Sequence, residues 1–185
     1  MANLTLHEVL LPTFTNGLLT LDHILTSAEK HASSNGLDAD AEYPDARLAA
    51  DMRPLSFQVH NAASTVKRAL ERIGAVPATD EWVPFDEGAA ATTTTIADLR
   101  ARVDAALGLA RGVDAGVVDA RAGELVDLPF RGEVLKLKGK DFILKQAIPN
   151  YFFHLQTAYA ILRSKGVPIG KLDYISSFVE DHAAS

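Results

Sequence analysis

The sequence contains no cysteine among its 185 residues, which excludes disulfide bonds, thiolate catalysis and cysteine-ligated zinc. It also lacks any run of about 18 consecutive apolar residues, the length that a membrane-spanning helix needs. The opening segment MANLTLHEVLLPTF has no basic stretch and includes Glu8 and Pro12, which argues against a secretory signal. These absences together predict a cytoplasmic protein with no membrane partner.

Positive charge is also scarce. The chain has 18 lysine and arginine residues against 24 acidic ones, a net charge of −6, and the basic residues are scattered. Because non-specific nucleic-acid binding needs a dense field of positive charge to displace counterions, we expect no nucleic-acid partner. Hydrophobic residues make up 48% and charged residues 23% of the chain, which is typical of a globular protein. We expect one domain over residues 1–185, with a frayed tail at 176–185.

Apolar residues recur every three or four positions in four segments, which predicts four long helices. The first helix covers residues 3–33, and Pro12 either kinks it or lies in its first turn. The second helix begins near Pro54 and ends at Gly74. Asp51, slightly earlier in the chain, is a candidate N-cap for that helix.

The third helix follows Thr95, and Asp98 is placed to complete a capping box. The fourth helix runs from about Lys140 to Lys165. Pro149 lies inside it and should bend it, because proline has no N–H to bond to the preceding turn.

The connections between these helices are unusually long. Residues 37–54 form a polar, turn-rich connection, and residues 75–95 form an irregular loop that holds the only tryptophan, Trp82. Residues 125–142 partly alternate between apolar and polar side chains around a turn, which predicts a small β-hairpin. The sum is an all-α four-helix bundle with crossover connections and a hairpin before the last helix.

The segment IPNYFFHLQTAYAILRSKGVPIGKLDY, residues 148–174, closely resembles a family of unknown function within the DinB/YfiT-like superfamily. The segment ARLAADMRPL, residues 46–55, is similar to the entry to the second helix of that family. The resemblance covers nearly the whole chain. It implies a DinB-like four-helix bundle with crossover connections, often as a homodimer. The matching positions are Pro149, Asn150, His154, Thr157, Ala158, Tyr159, Ile161, Leu162, Arg163, Gly166, Val167, Gly170, Lys171, Asp173 and Tyr174.

Better-known DinB-like proteins bind a divalent metal through one histidine on the second helix and an HxxxH pair on the last. The resemblance places His154 on the second histidine of that pair and Asn150 on the first, with His60 the nearest histidine on the second helix. A divalent ion usually needs at least three good donors, and an amide brings no charge. We therefore expect no cofactor; if a metal binds, its ligands are His60, Asn150 and His154.

Two metal-free interpretations of His154 remain open. In the first, it is a buried structural histidine whose ring nitrogens are hydrogen-bonded within the core. In the second, His60 and His154 act as general acid and base in an enclosed pocket, because imidazole titrates near neutral pH. The pocket would be completed by orienting polar groups and apolar walls: Asn150, Gln58 and Tyr151, and Phe57, Phe153 and Trp82.

The hypothesis we favour is binding of a small organic molecule inside the bundle, with metal-independent acid–base catalysis of the isomerase, lyase or cyclase type as its enzymatic form. One alternative is a divalent-metal-dependent DinB-type transferase or hydrolase. Another is a non-catalytic dimeric binding or structural protein. The sequence names no substrate and leaves open whether the protein is an enzyme.

Overall fold

A computed structural model of the protein describes residues 4–79 and 94–180. Its elements in chain order are α1 (Leu6–Ser34), α2 (Ala39–Glu42), α3 (Leu55–Arg72), α4 (Ile96–Arg111), α5 (Ala115–Ala120), β1 (Leu125–Phe130), β2 (Glu133–Lys138), α6 (Gly139–Phe142), a π-helical turn (Ile143–Ala147), α7 (Ile148–Ser164) and α8 (Lys171–Glu180). The four long helices α1, α3, α4 and α7 carry the core, as the sequence predicts. The short helices α2 and α5 lie in segments for which we predicted no helix.

The four long helices pack as a closed ring. Helix α1 packs against α4 and α7, and α3 also packs against α4 and α7. Consecutive helices α1 and α3 therefore lie at opposite corners of the bundle, and so do α4 and α7. The connections between these two pairs must cross the end of the bundle, which confirms the predicted crossover topology.

Local capping signals set the helix starts. Thr95 accepts a hydrogen bond from the backbone N–H of Asp98, whose side chain bonds back to Thr95, so the predicted capping box of α4 is confirmed. Thr5 and Glu8 form the same arrangement at α1. The prediction of Asp51 as the N-cap of α3 is wrong. Pro54 occupies that position, in extended conformation and with no side-chain cap.

The predicted hairpin is confirmed between β1 and β2, with Leu128 opposite Leu135. Arg131 and Gly132 form its turn, both with positive φ, a conformation that glycine adopts without steric cost. The predicted last helix is interrupted at Ile143–Ala147, where the Ile148 N–H bonds to the Ile143 carbonyl, five residues earlier. Pro149 follows this wide turn and cannot itself supply a donor.

Helix α8 was not predicted as a helix. It packs on α1, where the Thr20 hydroxyl donates to the Tyr174 carbonyl at 3.1 Å. Its helical residues extend to Glu180, so 176–180, expected to be frayed, belong to a helix, and 181–185 lie outside the described residues. Within the described ranges, none of the helices combines the length and apolar character that crossing a bilayer requires.

Candidate ligand-binding site

A cavity of about 290 Å³ lies between α3 and the start of α7, with β1 and α6 on a further side. This volume is close to the lower end of the range of about 300–1,000 Å³ for small-molecule sites. The described residues that line it are Asn61, Thr65, Arg68, Ala69, Arg72, Leu128, Pro129, Phe142, Gln146, Ala147, Asn150 and His154.

Helical spacing explains why these polar side chains converge. On α3, residues 61, 65, 68 and 72 are separated by three or four positions and therefore share one face of the helix. On α7, Asn150 and His154 are separated by four positions and share the face opposite. The π-helical turn adds Gln146 at the end of the cavity. The two walls are joined directly, because the Asn150 amide donates to the Thr65 hydroxyl at 2.8 Å.

His154 is 8% exposed, and a hydrogen bond fixes its tautomer. Its Nδ1 atom lies 2.8 Å from the Gln58 side-chain oxygen. The Gln58 amide nitrogen donates to the Arg53 carbonyl at 3.1 Å, so the orientation of the amide is set by two partners. Because the amide oxygen can only accept, the ring proton lies on Nδ1. The Nε2 atom then carries the lone pair.

The environment of His154 keeps its ring neutral. Burial, and secondarily the positive charge of Arg68, lower the pKa of His154 from 6.5 to about 4. At neutral pH the side chain is therefore an uncharged imidazole that can accept a proton at Nε2.

The two arginines give the cavity a positive wall. The Arg72 guanidinium lies over the Phe142 ring, 5.5 Å from its centroid. Arg68 is exposed overall, yet partial burial and the neighbouring Arg72 lower its pKa. Among the described residues that line the cavity there is no carboxylate. The site therefore combines a neutral base with two fixed positive charges.

The other predicted site residues take several positions around His154. The rings of Phe57 and Phe153 lie edge-on to its ring, with centroids 6.0 and 5.4 Å away. Neither is among the residues lining the cavity, and Phe153 is 57% exposed. Tyr151 is fully buried in the core and its hydroxyl donates to the Phe14 carbonyl at 3.3 Å. Trp82 lies outside the described residues.

His60 lies on a different side of α3. It is two residues after Gln58, a helical rotation of about 200°, and Gln58 is the residue that reaches His154. His60 is buried but is not among the residues that line the cavity. The structure thus brings together Gln58, Asn150 and His154 of the predicted set, while the predicted catalytic role of His60 gains no support from this cavity.

The residues present do not fit a DinB-type metal triad. Within 4–79 and 94–180 there is no group of three histidine, cysteine, aspartate or glutamate side chains that could hold an ion. Two arginines line the same cavity. A cation at this position would meet their repulsion and no compensating carboxylate from the described lining.

Sequence analysis missed Arg68, Arg72, Asn61 and Thr65. The signal was present in their spacing, since they continue the face of α3 that begins at Gln58. Charged residues on a helix usually face solvent, however, and only the approach of the hairpin and the π-helical turn makes this face a cavity wall.

The bundle topology, with crossover connections between the long helices and a hairpin before the last of them, defines a DinB-like protein. In agreement, the chain is 32% identical to a DinB family member protein from Shewanella denitrificans of known crystal structure, with a TM-score of 0.74 over 92% of this chain and 91% of that one. The chain belongs to the family described as domain of unknown function DUF1993, whose model matches residues 6–175. The comparison with curated proteins gives no match.

Proposed function

We propose that the protein binds a small organic molecule in the cavity between α3 and α7, and that His154 acts there as a general base without a metal. The observation that carries the proposal is the hydrogen bond from His154 Nδ1–H to Gln58. It holds the ring in one tautomer and leaves Nε2 as the proton acceptor in a residue that lines the cavity.

The reactions that such a site serves need removal and return of a proton, as in isomerisation, elimination or cyclisation. Nε2 accepts the proton from a C–H or O–H of the ligand. The Gln58 oxygen keeps its hydrogen bond to Nδ1–H throughout, and so orients the imidazolium that forms. Asn150 and Gln146 are neutral hydrogen-bonding groups for orienting the ligand, and Phe142 and Leu128 offer it apolar contact.

His60 has no part in this chemistry as we propose it. It serves instead as an internal comparison, because it is buried on α3, which forms one wall of the cavity, but does not itself line the cavity.

The experiment is nitrogen NMR of protein labelled in its histidines, after treatment with EDTA to remove divalent ions. Four probes are added separately at millimolar concentration: phenol, benzamide, benzoate and phenyl phosphate. We expect His154 to carry its proton on Nδ1, and at least one probe to shift the His154 Nε2 signal while the His60 signals stay in place. The variant His154→Gln assigns the signal. If His154 carried its proton on Nε2, or if no probe moved it, the proposal would be wrong.

The same preparation separates the alternatives. A stoichiometric divalent ion in protein purified without EDTA favours the metal-dependent transferase or hydrolase. If ligand binding and every measured activity are unchanged in His154→Gln, a non-catalytic role is favoured. The homodimer that the resemblance implies is tested by light scattering of the eluting protein.

A further inference from the structure

We infer that the ligand carries a negatively charged oxygen-acid group, a carboxylate or a phosphate, which Arg68 and Arg72 hold. This inference rests on the proposed function, because it concerns the same cavity, and it names the class of molecule that binds there.

The first argument is the placement of the two arginines. Arg68 and Arg72 are one turn apart on α3, and both line the cavity. Like charges four positions apart on a helix repel and destabilise it. Two cations held side by side against a partly buried surface are stable when an anion neutralises them, and a ligand with an acid group would supply one.

The second argument is that the protein's own neighbouring acid does not neutralise the two arginines through a direct ion pair. Glu71 lies between the two arginines in sequence, but its Oε1 atom pairs with Lys67 and accepts the Thr79 backbone N–H at 2.9 Å. Its charge acts on Arg68 only as a smaller effect than burial and Arg72, so the pKa of Arg68 remains lowered. Within the part of the chain that the structure describes, neither Arg68 nor Arg72 forms an ion pair.

The third argument is that both guanidinium groups are held in position. An Arg68 Nη2 atom lies 3.4 Å from the Asn61 side-chain oxygen, and the Asn61 amide is itself fixed by the Phe57 carbonyl at 3.0 Å. The Phe142 ring supports Arg72. A guanidinium is a planar fork of donors whose geometry matches the paired oxygens of a carboxylate or phosphate.

An acidic ligand would also counteract the low basicity of His154. A base whose pKa is about 4 is a weak proton acceptor at neutral pH. The positive charge of Arg68 contributes to that low value, and an anion bound beside Arg68 offsets it. Binding of an acidic ligand would therefore raise the pKa of His154, so that the ring is a stronger base when the site is filled than when it is empty.

The test measures the affinity of benzoate, phenyl phosphate and benzamide by calorimetry, for the wild-type protein and the variants Arg68→Met, Arg72→Met and Arg111→Met. Benzamide has the shape of benzoate without its charge. Arg111→Met is the matched control, because it makes the same change in net charge on the exposed last residue of α4. We expect at least one anion to bind the wild-type protein more tightly than benzamide does.

Each cavity variant should lose about tenfold to a hundredfold in anion affinity, as loss of a hydrogen bond to a charged group implies. Arg111→Met should bind as the wild-type protein does. Preference for benzoate identifies a carboxylate ligand, and preference for phenyl phosphate identifies a phosphate ligand. Arg68→Lys keeps the charge without the fork, so it should retain part of the affinity.

The outcomes separate this inference from the proposed function. If benzamide binds as tightly as the anions and the arginine variants change nothing, the inference is overturned and the proposed function stands. If none of the probes binds or moves the His154 signal, both are overturned. Equal weakening by Arg111→Met would mean that net charge alone attracts the anion, which also overturns the inference.

Discussion

The Nδ1 atom of His154 and the side-chain oxygen of Gln58 lie 2.8 Å apart, which joins α7 to α3 beside the cavity. Gln58 is 2% exposed, so a charge placed there would act on His154 through a low-dielectric medium. Two substitutions at Gln58 and five elsewhere, controls included, test how this site and its scaffold work.

Gln58→Glu should raise the pKa of His154, because a carboxylate next to the ring favours the imidazolium. An increase of about 1 to 3 pH units from the value near 4 is expected, measured by NMR titration of the ring. Gln58→Met is the matched control, since it removes the acceptor without adding charge. A rise in pKa of similar size in Gln58→Met would contradict the assignment.

The low pKa of His154 should make the stability of the protein depend on pH. Between about pH 6.5 and pH 4 the unfolded chain binds a proton at this residue that the folded protein does not. The free energy of unfolding therefore falls as the pH falls through this window. Below pH 4 the loss of folding stability that His154 causes reaches about 3 kcal/mol.

The measurement is urea denaturation at several pH values for the wild-type protein and His154→Gln. The variant should show a flatter dependence between pH 6.5 and pH 4. Parallel curves for the two proteins would show that His154 titrates equally in both states.

Gly17→Ala should destabilise the protein by about 1–3 kcal/mol, the usual cost of overpacking a core. A Cβ atom at Gly17 would lie 2.6 Å from the Tyr151 hydroxyl and ring, and Tyr151 is fully buried. Gly108→Ala is the control, because a Cβ there has nothing within 4 Å. That change should stabilise α4 by about 0.5–1 kcal/mol. Urea denaturation distinguishes the two, and a neutral Gly17→Ala would mean that Tyr151 can move aside.

Asp173→Asn should loosen α8 from α1. One Asp173 oxygen lies 3.0 Å from His23 Nε2, and the other accepts the Gly170 N–H at 2.7 Å. The His23 contact is the largest cause of the lowered pKa of Asp173. Faster hydrogen exchange is expected in α8, with exchange in α7 unchanged.

The control for this experiment is Asp127→Asn, which removes an exposed pair with Lys136 on the hairpin. It should leave exchange in α8 as it is in the wild-type protein. Unaltered exchange in Asp173→Asn would show that the Thr20 and apolar contacts alone hold the helix.

The bundle could be predicted because its signals are local. Periodic apolar residues and the Thr95–Asp98 pair specify helices without reference to the rest of the chain. Helix α8 escaped prediction because its side chains Leu172 and Val179 are exposed. Its place depends on tertiary contacts, which include hydrogen bonds to α1 residues about 150 positions away and ring contacts of Tyr174 and Phe178 with α7. The π-helical turn had only Pro149 as a local sign.

The site could be predicted only at the level of His154, Asn150 and Gln58. Which face of α3 meets α7 depends on the rotation of one helix against another, and neither histidine pattern nor composition determines that rotation. His60 and Gln58 are equally plausible from sequence because both belong to α3. Arg68 and Arg72 have the spacing of ordinary surface charges until tertiary contacts enclose them.

The diagonal placement of α1 and α3 affects how the protein is made. Helices α4 and α7, which separate these two helices around the ring, both follow them in the chain. When translation has reached only Arg72, helices α1 and α3 have been made but have almost no contact with each other. The apolar stripe of each helix is then exposed to solvent. Structure must then be assembled from pairings distant in sequence, which slows folding. Until α7 has been translated, these apolar stripes stay uncovered, and uncovered apolar surface favours aggregation.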